Sequence, residues 1–288
     1  MTKGKFMNRY IAALGLCATT LAMPAIAEER SPADLPIAVQ MYTLRDASTL
    51  DEQLTTVEAA GITAVETVGT QDSSASELKS LLDQHHIEAI SSHVQLDELR
   101  NDLQNVIDFN KAIGNDTIVV PFLTEDMRPT DARGWAGLGR ELGEIAARLK
   151  AADMQLAYHN HDFEMVKYDG RTAHEIMMDA AGSDVLAELD LAWIARSGLD
   201  PVQYIDRFDG RLFAIHAKDN APEGEATSEG GFQALGEGVL DWQKILPAAE
   251  EAGVKWYIIE HDQPLDAAVV VKKGATYLAN QLPESVTR

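Results

Sequence analysis

The sequence predicts a single-domain α/β protein, a (β/α)8 barrel in which eight parallel strands form a closed ring inside a layer of helices. Between residues 36 and 282, short apolar runs of strand length alternate with longer runs of helical periodicity. This alternation is typical of parallel strands joined by helical crossovers, and eight units in about 250 residues fit such a barrel. The alternative is an open doubly wound sheet, which usually has a glycine-rich turn after its first strand. The run MYTLRDAS that follows the first strand here contains no glycine.

The elements follow from the two periodicities in chain order. The apolar runs predict strands over residues 37–44, 64–69, 87–94, 116–123, 154–161, 185–192, 211–219 and 255–262. The amphipathic runs predict helices over residues 50–61, 75–86, 96–114, 134–153, 171–181, 200–208, 240–253 and 265–282. Gly61 and Gly114 end the first and third of these helical runs, where a glycine is a common C-terminal stop.

The first 27 residues have the layout of a secretory signal peptide. Basic residues open the segment, an apolar run fills residues 11–23, and small residues end it at Ala25-Ile26-Ala27. We expect cleavage after Ala27 and a periplasmic or secreted protein; an uncleaved anchor is the alternative. The predicted organisation is a signal peptide (1–27), an N-terminal extension (28–35), the barrel domain (36–282) and a C-terminal tail (283–288).

Composition limits the chemistry and the partners. Cys17 is the only cysteine and lies in the predicted signal peptide, so the mature chain has no disulfide and no thiol nucleophile. Acidic residues number 46 against 24 basic ones, a formal net charge of −22. Such a surface repels nucleic acid and, once the signal peptide is removed, anionic membranes. We therefore expect a small-molecule partner, and the sequence leaves a homo-oligomer open.

Ionisable side chains gather at the C-terminal ends of the predicted strands, where barrels of this type carry their active sites. A strand has a side-chain period of two, so each of the pairs His159/His161, Glu188/Asp190 and His216/Lys218 faces one side. Imidazoles and carboxylates without sulfur suit a divalent cation such as Mn²⁺, Mg²⁺, Co²⁺ or Zn²⁺. The strand-end polar residues are Gln40, Tyr42, Arg45, Glu66, His93, Tyr158, His159, Asn160, His161, Glu188, Asp190, His216, Lys218, Asp219, Glu260, His261 and Asp262.

Each of these residues also has a structural interpretation. A histidine at a strand end is more often a hydrogen-bonding partner than a metal ligand, Asp190 is a candidate cap for the next turn, and Glu260 is a candidate ion-pair partner for a lysine. The remaining histidines at positions 85, 86 and 174 are expected on the surface.

Five motifs carry a family resemblance. YHNHDFE, ELDLAW, AIHAKD, GEGVLDW and IIEHD occur in this order and resemble the sugar phosphate isomerase/epimerase family of xylose isomerase-like TIM barrels, over roughly residues 36–282. The resemblance implies a divalent metal cation bound by Asp190, His216 and Glu260. Many members have a glutamate at the fourth ligand position, where this chain has His159. Either His159 or Glu164 of the following loop completes the predicted site.

The resemblance also implies roles for the neighbouring side chains. Glu260, His159, His161 and Lys218 are the predicted catalytic residues, which transfer protons or orient a carboxylate. The loop over residues 219–239 resembles a mobile lid, with a disordered connection as the alternative. Predicted substrate contacts come from His93, Glu66, Tyr42, Trp193 and Asn160.

Three functions follow as hypotheses. The first is an exported metal-dependent isomerase or epimerase of a keto-sugar, which moves a proton next to a metal-polarised carbonyl. The second is a lyase or hydratase that acts on a keto-sugar or keto-inositol in the same barrel, and the third is a sugar-binding protein without catalysis. Export and the absence of a glycine-rich phosphate-binding motif in the sequence argue against a phosphorylated substrate.

Overall fold

The computed structural model describes residues 1–2, 30–47 and 49–288, and it forms the predicted closed eight-stranded barrel. Apart from Met1 and Thr2, the predicted signal peptide lies outside the described residues. The barrel strands are β1 (Ile37–Gln40), β2 (Ala64–Val68), β3 (Glu88–His93), β4 (Thr117–Val120), β5 (Gln155–His159), β6 (Val185–Asp190), β7 (Leu212–Ala217) and β8 (Trp256–Ile259).

All eight strands are parallel, and each pairs with its neighbours in chain order until β8 closes the ring on β1. The closure aligns Ile37 with Tyr257, so no strand edge is left open and the doubly wound alternative is wrong. Two of the strand pairs shift register, β2–β3 between Val65 and Glu66 and β6–β7 between Ala187 and Glu188. Such irregularities re-aim side chains and often lie next to functional sites.

Ten α-helices connect and surround the strands in the described part of the chain. Side-chain caps start most of them, and capping boxes at Thr49, Ser74 and Thr172 fix the first turns of three. The helices are α1 (Leu50–Ala59), α2 (Ala75–Gln84), α3 (Leu96–Asn101), α4 (Leu103–Ile113), α5 (Ala132–Lys150), α6 (Ala173–Ala181), α7 (Leu191–Arg196), α8 (Pro201–Ile205), α9 (Trp242–Glu251) and α10 (Ala267–Gln281). None of the described helices is long and apolar enough to cross a bilayer.

The sequence predicts the positions of these elements better than their ends. Several predicted strands continue past the observed ones, because their last residues turn into the loops that form the mouth of the barrel. The predicted helix over 96–114 is interrupted at Asp102, whose backbone leaves the helical region at φ −144°. Helix α7 was not predicted, since it begins directly after β6 and has only six residues.

The helical layer packs closely where α5 crosses α6. A Cβ atom on Gly139 would collide with the carbonyl oxygen of Met177, and one on Gly143 with that of Ala181. These glycines let the backbones of α5 and α6 approach each other closely. Apolar side chains of the helices and of the outward strand faces form the main core.

A separate apolar cluster fills the lower part of the barrel interior, and we call it the plug. It lies inside the ring of strands, whereas the main core lies between the strands and the helices. Its buried members are Ala38, Ala64, Ile90, Val119, Ala157, Phe213, Ala214 and Ile258. The upper part of the interior, toward the C-terminal ends of the strands, is polar.

Candidate metal centre

Polar side chains stand directly above the plug, as strand geometry requires. His159 follows the plug residue Ala157 by two positions and His216 follows Ala214 by two, so both imidazoles face the barrel axis. Both side chains are almost fully buried, with His159 2% and His216 0% exposed. Buried ionisable groups must be paired or coordinated, so their partners define what this layer does.

Glu66 of β2 is a fully buried carboxylate in this layer. Its Oε1 atom accepts a hydrogen bond from Gln40 Nε2 at 2.6 Å and lies 2.9 Å from His216 Nε2, while Oε2 accepts one from Ser91 Oγ at 2.7 Å. Burial alone would raise its pKa, but the charge of His93 and the hydrogen bonds of His216 and His93 lower the pKa of Glu66 well below its usual value. Glu66 is therefore an anion held in a fixed orientation.

Glu188 of β6 lies at the centre of three imidazoles. Its Oε1 atom is 2.9 Å from His93 Nε2, 3.1 Å from His216 Nε2 and 3.2 Å from His159 Nδ1. One donor atom from each of these four residues lies within 4.8 Å of the others, and we call the four the inner group. Burial lowers the pKa of His93, but the Glu66 charge and its hydrogen bonds with Glu188 and Glu66 raise it to about 9.

A second set of ligand-type atoms, the outer group, consists of Asp190, His216 and Glu260, which also lie within 4.8 Å of one another. The buried ammonium of Lys218 lies among them, 2.8 Å from Asp190 Oδ2 and 2.6 Å from Glu260 Oε2, and it also pairs with Asp262. Although burial disfavours the ammonium, the three carboxylates raise the pKa of Lys218, so it is a cation at neutral pH.

The carboxylates of the outer group respond differently to this cation. Burial raises the pKa of Asp190 to about 6, although the Lys218 charge opposes it. Burial also tends to raise the pKa of Glu260. The Lys218 charge and a hydrogen bond from His216 outweigh this and lower the pKa below its usual value. Asp190 Oδ1 accepts a hydrogen bond from the Trp193 N–H at 3.0 Å, so the residue caps α7 while its Oδ2 atom faces Lys218.

The centre fits a divalent cation by the chemistry of its donors. Several buried polar atoms have no hydrogen-bond partner among the described residues, including His159 Nδ1 and Glu188 Oε2. Such atoms are costly to bury, and an ion satisfies them at once. The predicted ligand His159 is 3.9 Å from Asp190 Oδ2 through its Nε2 atom but closer to Glu188 through Nδ1.

A cavity of about 320 Å³ opens above the centre at the mouth of the barrel. Its size lies at the lower end of small-molecule sites, which suits a single sugar ring. His161 lines one edge of the cavity, and its Nδ1 atom has no hydrogen-bond partner among the described residues. Burial lowers the pKa of this imidazole to about 3. The lining residues are Tyr42, Val68, His93, Gln95, Pro121, Phe122, His159, His161, Glu260 and Asp262.

Two predicted substrate contacts have other partners in the structure. Asn160 is fully buried and bridges β5 to β6, because its side chain accepts from the Asp190 N–H at 3.1 Å and donates to the Asp190 carbonyl at 3.3 Å. Glu66 is likewise fully buried and contacts the imidazoles of His93 and His216. Both residues position the centre and do not line the cavity.

Glu164, the alternative fourth ligand, points elsewhere. Its two oxygens accept hydrogen bonds from the Tyr158 hydroxyl at 2.8 Å and from the His161 N–H at 2.9 Å. Both carboxylate oxygens are thus engaged in holding the turn after β5, and Glu164 belongs to neither group of ligand-type atoms.

The loop predicted as a lid is folded. Asp219–Asn220 pairs antiparallel with Phe232–Gln233, and Arg196 donates hydrogen bonds to Asn220 Oδ1 at 2.8 Å and to the Gly230 carbonyl at 2.9 Å. The loop brings the buried ring of Phe232 to 4.6 Å from Lys218 Nζ and 5.1 Å from the Trp193 ring. It therefore forms a wall beside the centre, and the disordered alternative is wrong.

Sequence reasoning missed some partners and misplaced some histidines. Ser91 and Phe232 carry no signal in their local pattern, because an inward serine and a loop aromatic are common in any barrel. The surface expectation is wrong for His85 and His174, which are 8% and 0% exposed, and holds for His86. His85 lies between Asp51 and Glu58 of the neighbouring helix α1, a contact that no short motif encodes.

The site and the barrel have counterparts among known proteins. The family model described as a xylose isomerase-like TIM barrel matches residues 54–281. The chain belongs to this family. The resemblance read from the motifs is thereby confirmed.

Two curated relatives match parts of the chain. The rhizopine catabolism protein MocC of Rhizobium meliloti is 30% identical over 142 residues, which are 45% of this chain and 43% of that protein. An inosose dehydratase of Lacticaseibacillus casei is 28% identical over 174 residues, or 52% of this chain and 56% of the relative. The chain thus matches only about half the length of these relatives.

Solved structures share the fold over most of the chain. A sugar phosphate isomerase/epimerase from Parabacteroides distasonis has a TM-score of 0.70 at 19% identity and covers 91% of this chain and 98% of its own. The IolI protein, solved with a bound zinc atom, has a TM-score of 0.66 at 19% identity, with coverage of 85% and 97%. Identities this low establish the common barrel alone.

Proposed function

We propose that this protein is a lyase of the dehydratase type that acts on an unphosphorylated keto-sugar or keto-cyclitol. The reaction breaks the C–H bond next to the carbonyl, forms a C=C bond as the C–O bond of the β-hydroxyl breaks, and releases water. The hydroxyl leaves with a proton supplied by the protein or by water, so the abstracted proton and the leaving group balance. The relationship to an inosose dehydratase supports this class.

The observation that carries the proposal is the chemical difference between the β5 side and the β8 side of the cavity. On the β5 side stand His159 and His161, two imidazoles that are neutral because burial lowers their pKa values. On the β8 side stand Glu260 and Asp262 with the Lys218 ammonium. Epimerisation needs comparable proton carriers on both faces of the substrate, whereas elimination needs a base for the C–H proton and a proton donor for the departing hydroxyl.

A divalent cation belongs to this proposal as the cofactor, and both groups of ligand-type atoms include His216, beside which it would be bound. When bound, it supplies Lewis-acid polarisation of the substrate carbonyl. The zinc in the related IolI structure supports a metal-dependent reaction. Lys218 keeps Glu260 ionised, and the exposed part of Tyr42 offers a hydroxyl to the sugar.

The lining of the cavity supports a substrate without phosphate. Its acidic members are Glu260 and Asp262, and none of the described lining residues is a lysine or an arginine. A phosphate group carries about two negative charges and would require basic side chains or helix N-termini.

We also propose that residues 1–27 direct export. Intact-mass analysis of the protein in the periplasmic fraction tests this, because cleavage removes 27 residues from the mass.

A second candidate is the isomerase or epimerase expected from the sequence. Glu260 of the β8 side and His159 of the β5 side both line the cavity, so a proton acceptor is available on each side. This reaction yields an isomer, whereas the lyase yields an unsaturated ketone that absorbs in the ultraviolet.

The experiment incubates the protein, loaded separately with Zn²⁺, Co²⁺ and Mn²⁺, with a panel of ketoses and keto-cyclitols in D₂O. The lyase proposal predicts growing ultraviolet absorbance and loss of the proton next to the carbonyl. Deuterium incorporation into an isomer without absorbance would favour the isomerase instead. Binding of a panel sugar without any turnover would leave the non-catalytic sugar-binding protein as the function.

A further inference from the structure

The imidazole of His161 lines the cavity, yet one of its ring nitrogens has no polar partner. Its Nδ1 atom is buried without a hydrogen-bond partner among the described residues. A histidine that transfers protons is ordinarily oriented by a hydrogen bond to its second ring nitrogen. We propose that Glu164 positions this imidazole instead, by fixing the backbone that carries it. The inference rests on the proposed function, in which His161 is one of two imidazoles on the β5 side of the cavity.

The backbone N–H of His161 lies just beyond the sheet. Strand β5 ends at His159, and the pairing of His159 with Glu188 is the last of the β5–β6 register. A backbone N–H that leaves the sheet needs another acceptor. Glu164 Oε2 supplies that acceptor at 2.9 Å from the His161 nitrogen, so the carboxylate replaces the missing strand partner.

The carboxylate of Glu164 is itself held in place. Its other oxygen, Oε1, accepts a hydrogen bond from the Tyr158 hydroxyl at 2.8 Å. Tyr158 is fully buried in the main core, on the face of β5 opposite to His159, and Glu164 is fully buried as well. Buried polar networks of this kind make the segments that they join rigid. The core therefore holds the turn that carries His161 through a single carboxylate.

The residue before His161 is anchored from the other side. Asn160 is fully buried, and its side chain accepts a hydrogen bond from the Asp190 N–H at 3.1 Å and donates one to the Asp190 carbonyl at 3.3 Å. Asn160 thus joins the chain to β6, while Glu164 fixes the next backbone N–H. Together the two contacts set the direction of the Cα–Cβ bond of His161.

The imidazole then packs among aromatic rings. Its ring centroid lies 5.8 Å from that of Phe163, with an interplanar angle of 15°, and 5.1 Å from that of Phe122, with an angle of 78°. The Arg128 guanidinium lies 3.7 Å from the Phe163 centroid and 5.1 Å from the Phe122 centroid. Such contacts hold the imidazole plane only while the backbone keeps its rotamer between these rings. Phe163 belongs to the same turn as Glu164, so loss of the carboxylate disturbs the imidazole and its stacking partner together.

The expected consequence for catalysis is selective. A group that transfers a proton must lie within hydrogen-bond reach of it, and a displacement of about 1 Å costs about 10²-fold in rate. Glu164 is not among the residues that line the cavity. Its loss should therefore lower kcat and leave KM nearly unchanged, whereas loss of a substrate contact would raise KM.

The first test needs no substrate. Nuclear magnetic resonance of protein labelled with ¹⁵N-histidine reports the ring nitrogens, and the His161 signals are identified by their loss in His161→Gln. Glu164→Ala should shift or broaden these signals. Glu164→Gln should leave them in place, because an amide accepts from the His161 N–H through its oxygen and donates to the Tyr158 hydroxyl through its nitrogen. The exposed His86 is the internal control. Unchanged His161 signals in Glu164→Ala, or equal shifts in both variants, would overturn the proposal.

The second test measures kcat and KM separately on the best substrate of the panel. Glu164→Ala should lower kcat about 10- to 100-fold with KM within about 2-fold, and Glu164→Gln should restore most of kcat. Tyr158→Phe removes only the hydrogen bond to Oε1 and should cause a smaller loss of kcat; it replaces Glu164→Ala if circular dichroism shows that the latter fails to fold. A raised KM at unchanged kcat would overturn the proposal. If no panel sugar is turned over, the proposed function fails, and the resonance experiment still decides the role of Glu164.

Discussion

The two ends of the barrel each carry a cavity, and the cavities differ in volume and in the burial of the charged residues around them. The larger cavity, about 670 Å³, opens at the N-terminal end, and its charged lining residues, such as Glu88, Arg211 and Lys255, are all at least partly exposed. The cavity at the C-terminal end is about half as large, yet Glu66, Glu188 and Lys218 are fully buried beside or beneath it.

The buried charged residues, and not the volume of the cavity, therefore indicate which end of the barrel carries the candidate site. Charged groups at the N-terminal end are solvated by water and need no partner. Those at the C-terminal end are desolvated at a cost of several kcal/mol each unless they are paired, which is tolerated only where the arrangement is held in place. Substitutions at the two ends should consequently have very different effects.

The largest difference is expected for catalysis. His216 belongs to both groups of ligand-type atoms, so His216→Ala should lower kcat/KM by about 10³-fold or more. Lys255→Ala at the other end should change it less than about 2-fold, because the exposed Lys255 has no ion-pair partner among the described residues. Initial rates with the best substrate of the panel measure kcat/KM for both variants. Equal losses in the two variants would contradict the expected difference between the two ends.

The next largest effect concerns stability. Lys218→Met leaves Asp190 and Glu260 buried without their cation, which should reduce the free energy of unfolding by about 3–5 kcal/mol in metal-free protein. Lys255→Met should cost less than about 0.5 kcal/mol. Denaturant unfolding measures both. Equal losses in the two variants would contradict this expectation.

A smaller effect appears in the pH dependence of stability. Burial raises the pKa of Glu164 from 4.5 to about 7, although hydrogen bonds from Tyr158 and the His161 N–H oppose it. The folded chain therefore binds a proton that the unfolded chain releases, and stability falls as pH rises from about 4.5 through about 7, by up to about 3 kcal/mol. Glu164→Gln should remove this slope in unfolding curves recorded across that range; an unchanged slope would contradict it.

The smallest effect lies outside the barrel interior. Hydrogen bonds with Asp51 and Glu58 raise the pKa of His85, so its contribution to stability is complete below its unfolded pKa and is lost as pH rises through the folded value. His85→Gln should flatten the unfolding free energy across that window, and added salt should weaken the contribution because both partners are exposed. The exposed His86 provides the matched control in His86→Gln, which should leave the pH dependence unchanged.

The sequence predicts the barrel and the end that carries the chemistry because both depend on local periodicity. Alternation of strand and helix patterns gives the topology, and polar residues at strand ends give the mouth. His159 and His216 face the axis for the same period-two reason that puts Ala157 and Ala214 in the plug.

What local periodicity does not give is the depth of each side chain. The register shifts at Glu66 and Glu188 depend on neighbouring strands and change which carboxylates meet the imidazoles. The Lys218 ammonium finds Glu260 from a different strand, and the ion pair forms because both are excluded from water. Such contacts join residues far apart in the chain, so motif order alone predicts the participants and not their grouping.

The most direct measurement for the central claim, that buried charge at the C-terminal end of the barrel holds a divalent cation, is anomalous diffraction from zinc-soaked crystals. We expect one strong peak at the C-terminal end of the barrel, about 2.0–2.2 Å from a ring nitrogen of His216, the residue that both groups share. A peak only in the N-terminal cavity, or none in either end of the barrel, would contradict it.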